Sequence, residues 1–366
     1  MIPPIATRIP LVRRPKAPAL PLEQRIAHVT GLADESAGAS HHDLVARASG
    51  VLNYAALIAS DAALPDLAAD LCWKQHRAFA DAGRLTGEIA VMALMPLINL
   101  SRLLTREGDG EGAYDVLKQL YRTAHARSST HIRGHDVDLS ALTATESDHH
   151  DVCKALWVAL LVDGARALAR IGCWTQAAEA MTAHRGVGHR LLDGRQIMIM
   201  SLMERGLYQQ ARDAIEATAP TEEWENAIAA LLQVACRPAT APASAQERDE
   251  ALLGAGAVLT SPDPATALFQ TRVGLAALEL THHHTGPHTA GLHDPIVDAA
   301  RLDAYAARDT LTHPLVGAHL DEEQRSHLES IVAESGLGAG RLSPTHMETL
   351  TAASERAEAA LRRLLA

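Results

Sequence analysis

Aromatic side chains make up only 3% of this chain, and lysine occurs just four times, at Lys16, Lys74, Lys118 and Lys154, among 33 basic residues. So few aromatic rings remove the stacking platforms on which single-stranded nucleic acids are held. The charge balance points the same way: at −11 the chain lacks an overall basic face. The four cysteines, Cys72, Cys153, Cys173 and Cys236, are far apart with no Cys-x-x-Cys pair, so they read as buried thiols in a reducing compartment. The longest uncharged apolar run, residues 89–100, is too short to span a bilayer and contains Pro96. No stretch near the start has the apolar core of a secretory signal. The expectation is a cytoplasmic protein with no nucleic-acid or membrane partner. Gly-x-Ser-x-Gly, catalytic-cysteine and P-loop patterns are also missing, so no catalytic residue and no cofactor are expected.

What is present is alanine, which suits close-packed helices, and a pattern that occurs twice. Gly172, Trp174, Ala177 and Met181 return as Gly206, Tyr208, Ala211 and Ile215, each 34 residues on. An apolar helix runs up to Gly172, which stands where a helix end favours the left-handed conformation. The aromatic residue can wedge between two helices, and the alanine lets the second lie close against the first. Neither helix hides its apolar face alone, so neighbouring pairs must stack. Looser copies are Gly108, Gly110, Ala113, Leu117 and Ala63, Pro65, Ala68, Cys72.

In period and marks this resembles the tetratricopeptide repeat in a divergent form. The alanine excess and scarce lysine suggest high-GC bacterial coding. The resemblance implies an all-α fold: a right-handed solenoid of antiparallel helix hairpins, followed by a C-terminal helical region. The family's early aromatic positions are poorly matched, with Leu161, Gly164 and Leu168 standing there.

Along the chain, residues 1–21 are rich in proline and arginine and read as a disordered tail; the alternative is a docking arm for an acidic partner. Residues 22–236 form the helical-repeat domain. Ser40 caps a helix running to about Ser60, Pro65 opens the next, and Thr86 to Arg106 reads as one helix kinked at Pro96. Residues 128–148 are a polar insertion, and 237–245 a proline-bearing linker. In the C-terminal region, 246–366, Ser244 with Glu247 and Asp321 with Gln324 predict capped starts. So do Asp263-Pro264, Asp294-Pro295 and Ser343-Pro344, while Thr221 is expected to cap 222–236. The final helix aligns Met347, Leu350, Ala357, Leu361 and Leu364 in one stripe.

Two features suggest chemistry. Arg102 and Arg106 precede Gly108 by the same distances as Arg166 and Arg170 precede Gly172, and a spacing of four places each pair on one helix face. If first helices line a concave surface, as the resemblance implies, these arginines face a groove suited to a phosphate or carboxylate. Gln196 and Met200 then stand beside them in the groove, and the family's Lys/Asn carboxylate clamp is absent. The alternative is ion pairing with nearby acids such as Glu107 and Asp163. The second feature is histidine clustering: His131, His135, His149 and His150 among Asp136, Asp138, Asp148 and Asp151, and His282, His283, His284, His288 and His293 later. No His-Glu-x-x-His accompanies them, and no metal site is assigned. The glycine-rich Gly336, Gly338, Gly340 run follows a helix, so it reads as a turn rather than a dinucleotide fingerprint.

The expectation is a non-catalytic binding or scaffold protein presenting a groove to a protein partner or small anionic ligand. The alternatives are a ligand-sensing regulator and a helical metal-dependent hydrolase built on the His/Asp clusters.

Overall fold

A computed structural model of the chain describes residues 8–17, 19–34, 38–238, 240–282 and 287–366. It is 70% helix and 3% strand, which makes the protein mostly α-helical. The described chain divides into two compact units, and each contains both a long stretch and one chain end. The first unit comprises Leu22–Ile171 with Gly338–Ala366. The second comprises Gly172–Leu337 with the described part of the first 21 residues. Residues 237–245, expected as a linker, lie inside the second unit.

In the first unit, Ser40 accepts the Asp43 N–H at 3.1 Å and opens His41–Asp61, and Pro65 sits in the first turn of Pro65–Ala80. The single kinked helix expected at 86–106 is instead two, Gly87–Met92 and Met95–Glu107. Pro96 has no N–H to donate, so the chain breaks just ahead of it and Pro96 takes the first turn of the second helix. By length and composition the 21 residues Gly87–Glu107 are apolar enough to cross a membrane, yet half of the most apolar window is buried inside the unit. Gly110–Ala126 follows and packs on Ala165–Arg170, close enough that a Cβ on Gly110 would collide with the Ala167 carbonyl. The expected apolar helix before Gly172 is Glu146–Ala159 continued through a π-helical turn, Leu160–Gly164, into Ala165–Arg170.

The polar insertion is not a bare loop. Ser129–Ile132 and His135–Asp138 pair antiparallel, with Arg133 and Gly134 both at positive φ (49° and 85°), the signature of a tight hairpin turn. Alternation then turns Ile132 and Val137 inward, and His135 stacks on Trp73 at 4.0 Å between ring centres. This small sheet is a departure from an all-helical chain.

The C-terminal helix Pro344–Leu365 closes the first unit against Leu22–Ala33 and His41–Asp61. Leu350, Ala353, Ala357 and Leu361 are its buried stripe. The glycine run ahead of it is a strap: the Gly338 N–H donates to the Asp61 carbonyl (2.7 Å) and the Gly340 N–H to that of Ala62 (2.8 Å).

The second unit is a sequence of short helices from Trp174–Ala183 to Glu322–Ser335. The capping boxes at Ser244/Glu247 and Asp321/Gln324 are formed, and Ser343 caps the last helix of the chain. Other starts differ. Asp263 binds Ala265 and Thr266 in a turn before Ala267–Leu280, and Asp294 lies within the first turn of His293–Ala300. Thr221 does not cap the next helix either; its hydroxyl donates to the buried carboxylate of Glu225 at 3.1 Å.

The corners between paired helices share one local geometry. Ala63, Gly108, Gly172 and Gly206 all have left-handed φ: 59°, 90°, 82° and 74°. Five residues on stand Ala68, Ala113, Ala177 and Ala211, all fully buried; nine on stand Cys72, Leu117, Met181 and Ile215, all buried. Trp174 and Tyr208 each open the helix after the corner, Trp174 buried and Tyr208 half-buried. The boundary between units falls at the Gly172 corner. At the other three corners the helices on either side pack on each other.

Candidate functional site

Two of the four register arginines, Arg102 and Arg106, are occupied by the chain's own acids. The Arg102 guanidinium forks onto Asp163, Nε to Oδ1 at 3.2 Å and Nη2 to Oδ2 at 3.0 Å, and also reaches the Asn99 side chain. Arg106 donates to Ser60 Oγ (2.7 Å) and to Asp61 Oδ1 (2.6 Å), while Arg25 takes Asp61 Oδ2 at 2.6 Å. A buried carboxylate between two guanidiniums ties three helices together. Arg166 is half-buried and Arg170 exposed. These four arginines belong to the first unit, whereas Gln196 and Met200 belong to the second. Met200, expected to line the groove, is a core residue because the apolar side of Asp193–Glu204 faces its neighbours. Gln196 is buried as well, and its Nε2 donates to the carbonyls of Leu191 (2.8 Å) and Leu11 (2.7 Å).

That last bond leads to the arm. Within the expected disordered tail, residues 10–17 and 19–21 have no regular secondary structure, as the prolines favour, but the described arm is fastened to the second unit. Arg8 Nη1 forks onto Glu279 at 2.8 and 2.9 Å. Arg14 pairs with Asp193, and Arg13 stands 3.9 Å from Asp263. Lys16 Nζ meets Asp303 Oδ2 at 3.1 Å and lies 4.7 Å over the Tyr305 ring. Two backbone bonds accompany these, Lys16 N–H to the Ala265 carbonyl (2.9 Å) and Ala19 N–H to Asp303 Oδ2 (3.0 Å). Ile9 is the buried apolar contact.

Exposure is lopsided across these pairs. The Arg8, Arg14 and Lys16 side chains are 56%, 43% and 38% exposed; their acceptors Glu279, Asp193 and Asp303 are 20%, 6% and 0%. Asp303 also caps Ala304–Thr312, accepting the N–H groups of Tyr305 and Ala306. A carboxylate so enclosed is tolerated because it collects four donors, one of them a cation. Beside Glu279 lies His313, buried, with Nε2 3.6 Å from Glu279 Oε2. Burial holds this imidazole below its ordinary pKa, Glu279 opposes that shift, and Arg8 adds to it.

Among the described residues the histidine clusters do not converge. His131 pairs with Asp136 at 3.0 Å, His135 stacks on Trp73, and His149 Nε2 lies 3.5 Å from Cys153 Sγ. His293 pairs with Asp294; His283 and His284 lie outside the described residues. Among the described residues no three His, Cys, Asp or Glu side chains assemble as a metal-ligating group. Burial pushes the Cys72 and Cys236 thiols up to about 12, which leaves them unreactive.

Comparison with known proteins adds no relative. No protein-family model matches the chain, no curated protein does, and no solved structure does. The carboxylates under the arm were missed in the sequence reading. The available signal was Asp303, an aspartate placed to cap a helix, with the spaced cations of the arm.

Proposed function

We propose that this chain is a non-catalytic binding protein: a tetratricopeptide-like, right-handed stack of helix hairpins that holds a segment of a protein partner in the cytoplasm. The observation supporting this reading is the second unit's grip on an irregular, non-helical segment, made by carboxylates, one side-chain amide and one main-chain carbonyl. Extended peptides are recognised by that combination, main-chain bonds for affinity and side-chain seats for specificity. A peptide fits the geometry better than a free anion does, because Arg102 and Arg106 already hold carboxylates of their own chain. The test is affinity capture of the full chain from its native cells, followed by mass spectrometry. One protein retained in near-equal amount supports the reading. Nothing retained above a control of unrelated helical protein contradicts it.

A further inference from the structure

We propose that the row Asp193, Glu279 and Asp303 is a docking surface for an extended, proline-punctuated basic segment of a partner protein, and that residues 8–17 and 19 are its resident competitor. This rests on the reading of the chain as a binding protein and names the chemistry of what it binds.

Two observations carry it. The first is the asymmetry of the ion pairs. The cations of the arm are 38–56% exposed, whereas the acids beneath them are 20% exposed at Glu279, 6% at Asp193 and 0% at Asp303. An exposed lysine or arginine gives up little on leaving, but an enclosed carboxylate requires a cation from some source. The surface therefore has a standing demand that any chain bearing suitably spaced cations can meet.

The second is that little in the arm's seat depends on its own sequence. Gln196 reads a carbonyl, the Ala265 carbonyl reads an N–H, and Asp303 reads another N–H; any peptide without proline at those two donor positions offers these groups. What selects the ligand is a cation at each of three places, set by Arg8, Arg14 and Lys16. Apart from Ile9, no fully buried side chain anchors the described part of the arm.

The probe is a labelled synthetic peptide with the sequence of residues 8–21, followed by fluorescence anisotropy. Two full-length proteins are compared: the wild type and Arg8→Ala/Arg14→Ala/Lys16→Ala, in which the arm is loosened. The peptide is expected to bind the loosened chain roughly tenfold more tightly than the wild type. Adding Asp193→Asn and Glu279→Gln to the loosened chain should weaken it by roughly tenfold again, with circular dichroism confirming the fold. Equal binding to both proteins, or binding indifferent to Asp193 and Glu279, overturns the proposal. Should the loosened chain fold poorly, hydrogen exchange on the wild type decides. Excess unlabelled peptide should speed exchange at Lys16 and Ala19; unchanged exchange at saturation overturns the competition. A concentration-dependent dimer of the wild type, abolished by the triple substitution, overturns the partner assignment in favour of arm exchange between copies. The two readings fail separately. A captured partner with no peptide binding removes this surface and leaves the binding function, and peptide binding without a captured partner does the reverse.

Discussion

The two units are each completed by a distant end of the chain, and they accept those ends by different physics. The first unit takes the helix Pro344–Leu365, which inserts a stripe of Leu350, Ala353, Ala357 and Leu361 into its core. The second takes residues 8–17 and 19–21, which bury Ile9 and otherwise lay exposed cations over less exposed acids. Burial of apolar area is insensitive to salt and difficult to exchange. Pairing of solvent-exposed cations is screened and easily exchanged. One end is thus built as structure and the other as a replaceable ligand.

Substitutions should expose that difference. The largest expected effect is Leu361→Ala, which removes a fully buried side chain and should lower the first unit's stability by about 2–5 kcal/mol. Urea denaturation measures this, and a loss below about 1 kcal/mol would mean the helix is peripheral. Acid titration should produce the next effect. Burial depresses the His76 pKa from 6.5 to about 4. The unfolded chain therefore takes up a proton at this residue before the folded chain does. Stability from this group is complete above 6.5 and declines by about 3 kcal/mol as pH falls towards 4. His76→Gln should flatten that slope, and an unchanged slope would locate the acid sensitivity elsewhere.

In the second unit the contrast sharpens between members of the arm. Lys16→Met leaves the enclosed Asp303 without its cation and should cost roughly 1–3 kcal/mol, whereas Arg13→Ala, 3.9 Å from a half-exposed Asp263, should change stability by less than about 0.5 kcal/mol. Equal effects in thermal melts would show that exposure of the acids does not govern the arm. The smallest effects belong to the corners. Gly206→Ala adds a side chain at left-handed φ in open space, so strain alone should cost about 1 kcal/mol. Ala63→Gly, the reverse change at the matching corner, should gain up to about 1 kcal/mol.

The corners were legible in the sequence because they are local. A left-handed residue, a small residue five on and an apolar residue nine on are set by one turn of chain, so even the copy led by Ala63 was found. The capping boxes at Ser244 and Asp321 were legible for the same reason. The β-hairpin was overlooked although its signals are local too, Arg133-Gly134 flanked by alternating inward Ile132 and Val137; its polar surroundings masked the period of two. The arm's acceptors were beyond reach for a different reason. Glu279, Asp193 and Asp303 lie 271, 179 and 287 residues from their cations, and no spacing rule connects residues so far apart. The arginine register shows the converse. Its periodicity is present, but Asp163 and Asp61, brought in by tertiary packing, now occupy Arg102 and Arg106.

Hydrogen exchange at increasing salt, followed at both chain ends in one sample, tests the difference most directly. Amides of Lys16 and Ala19 should exchange fast and lose their remaining protection between about 0.05 and 0.5 M salt, while amides within Pro344–Leu365 stay protected throughout. Arm amides as slow and as salt-indifferent as those of the C-terminal helix would contradict this.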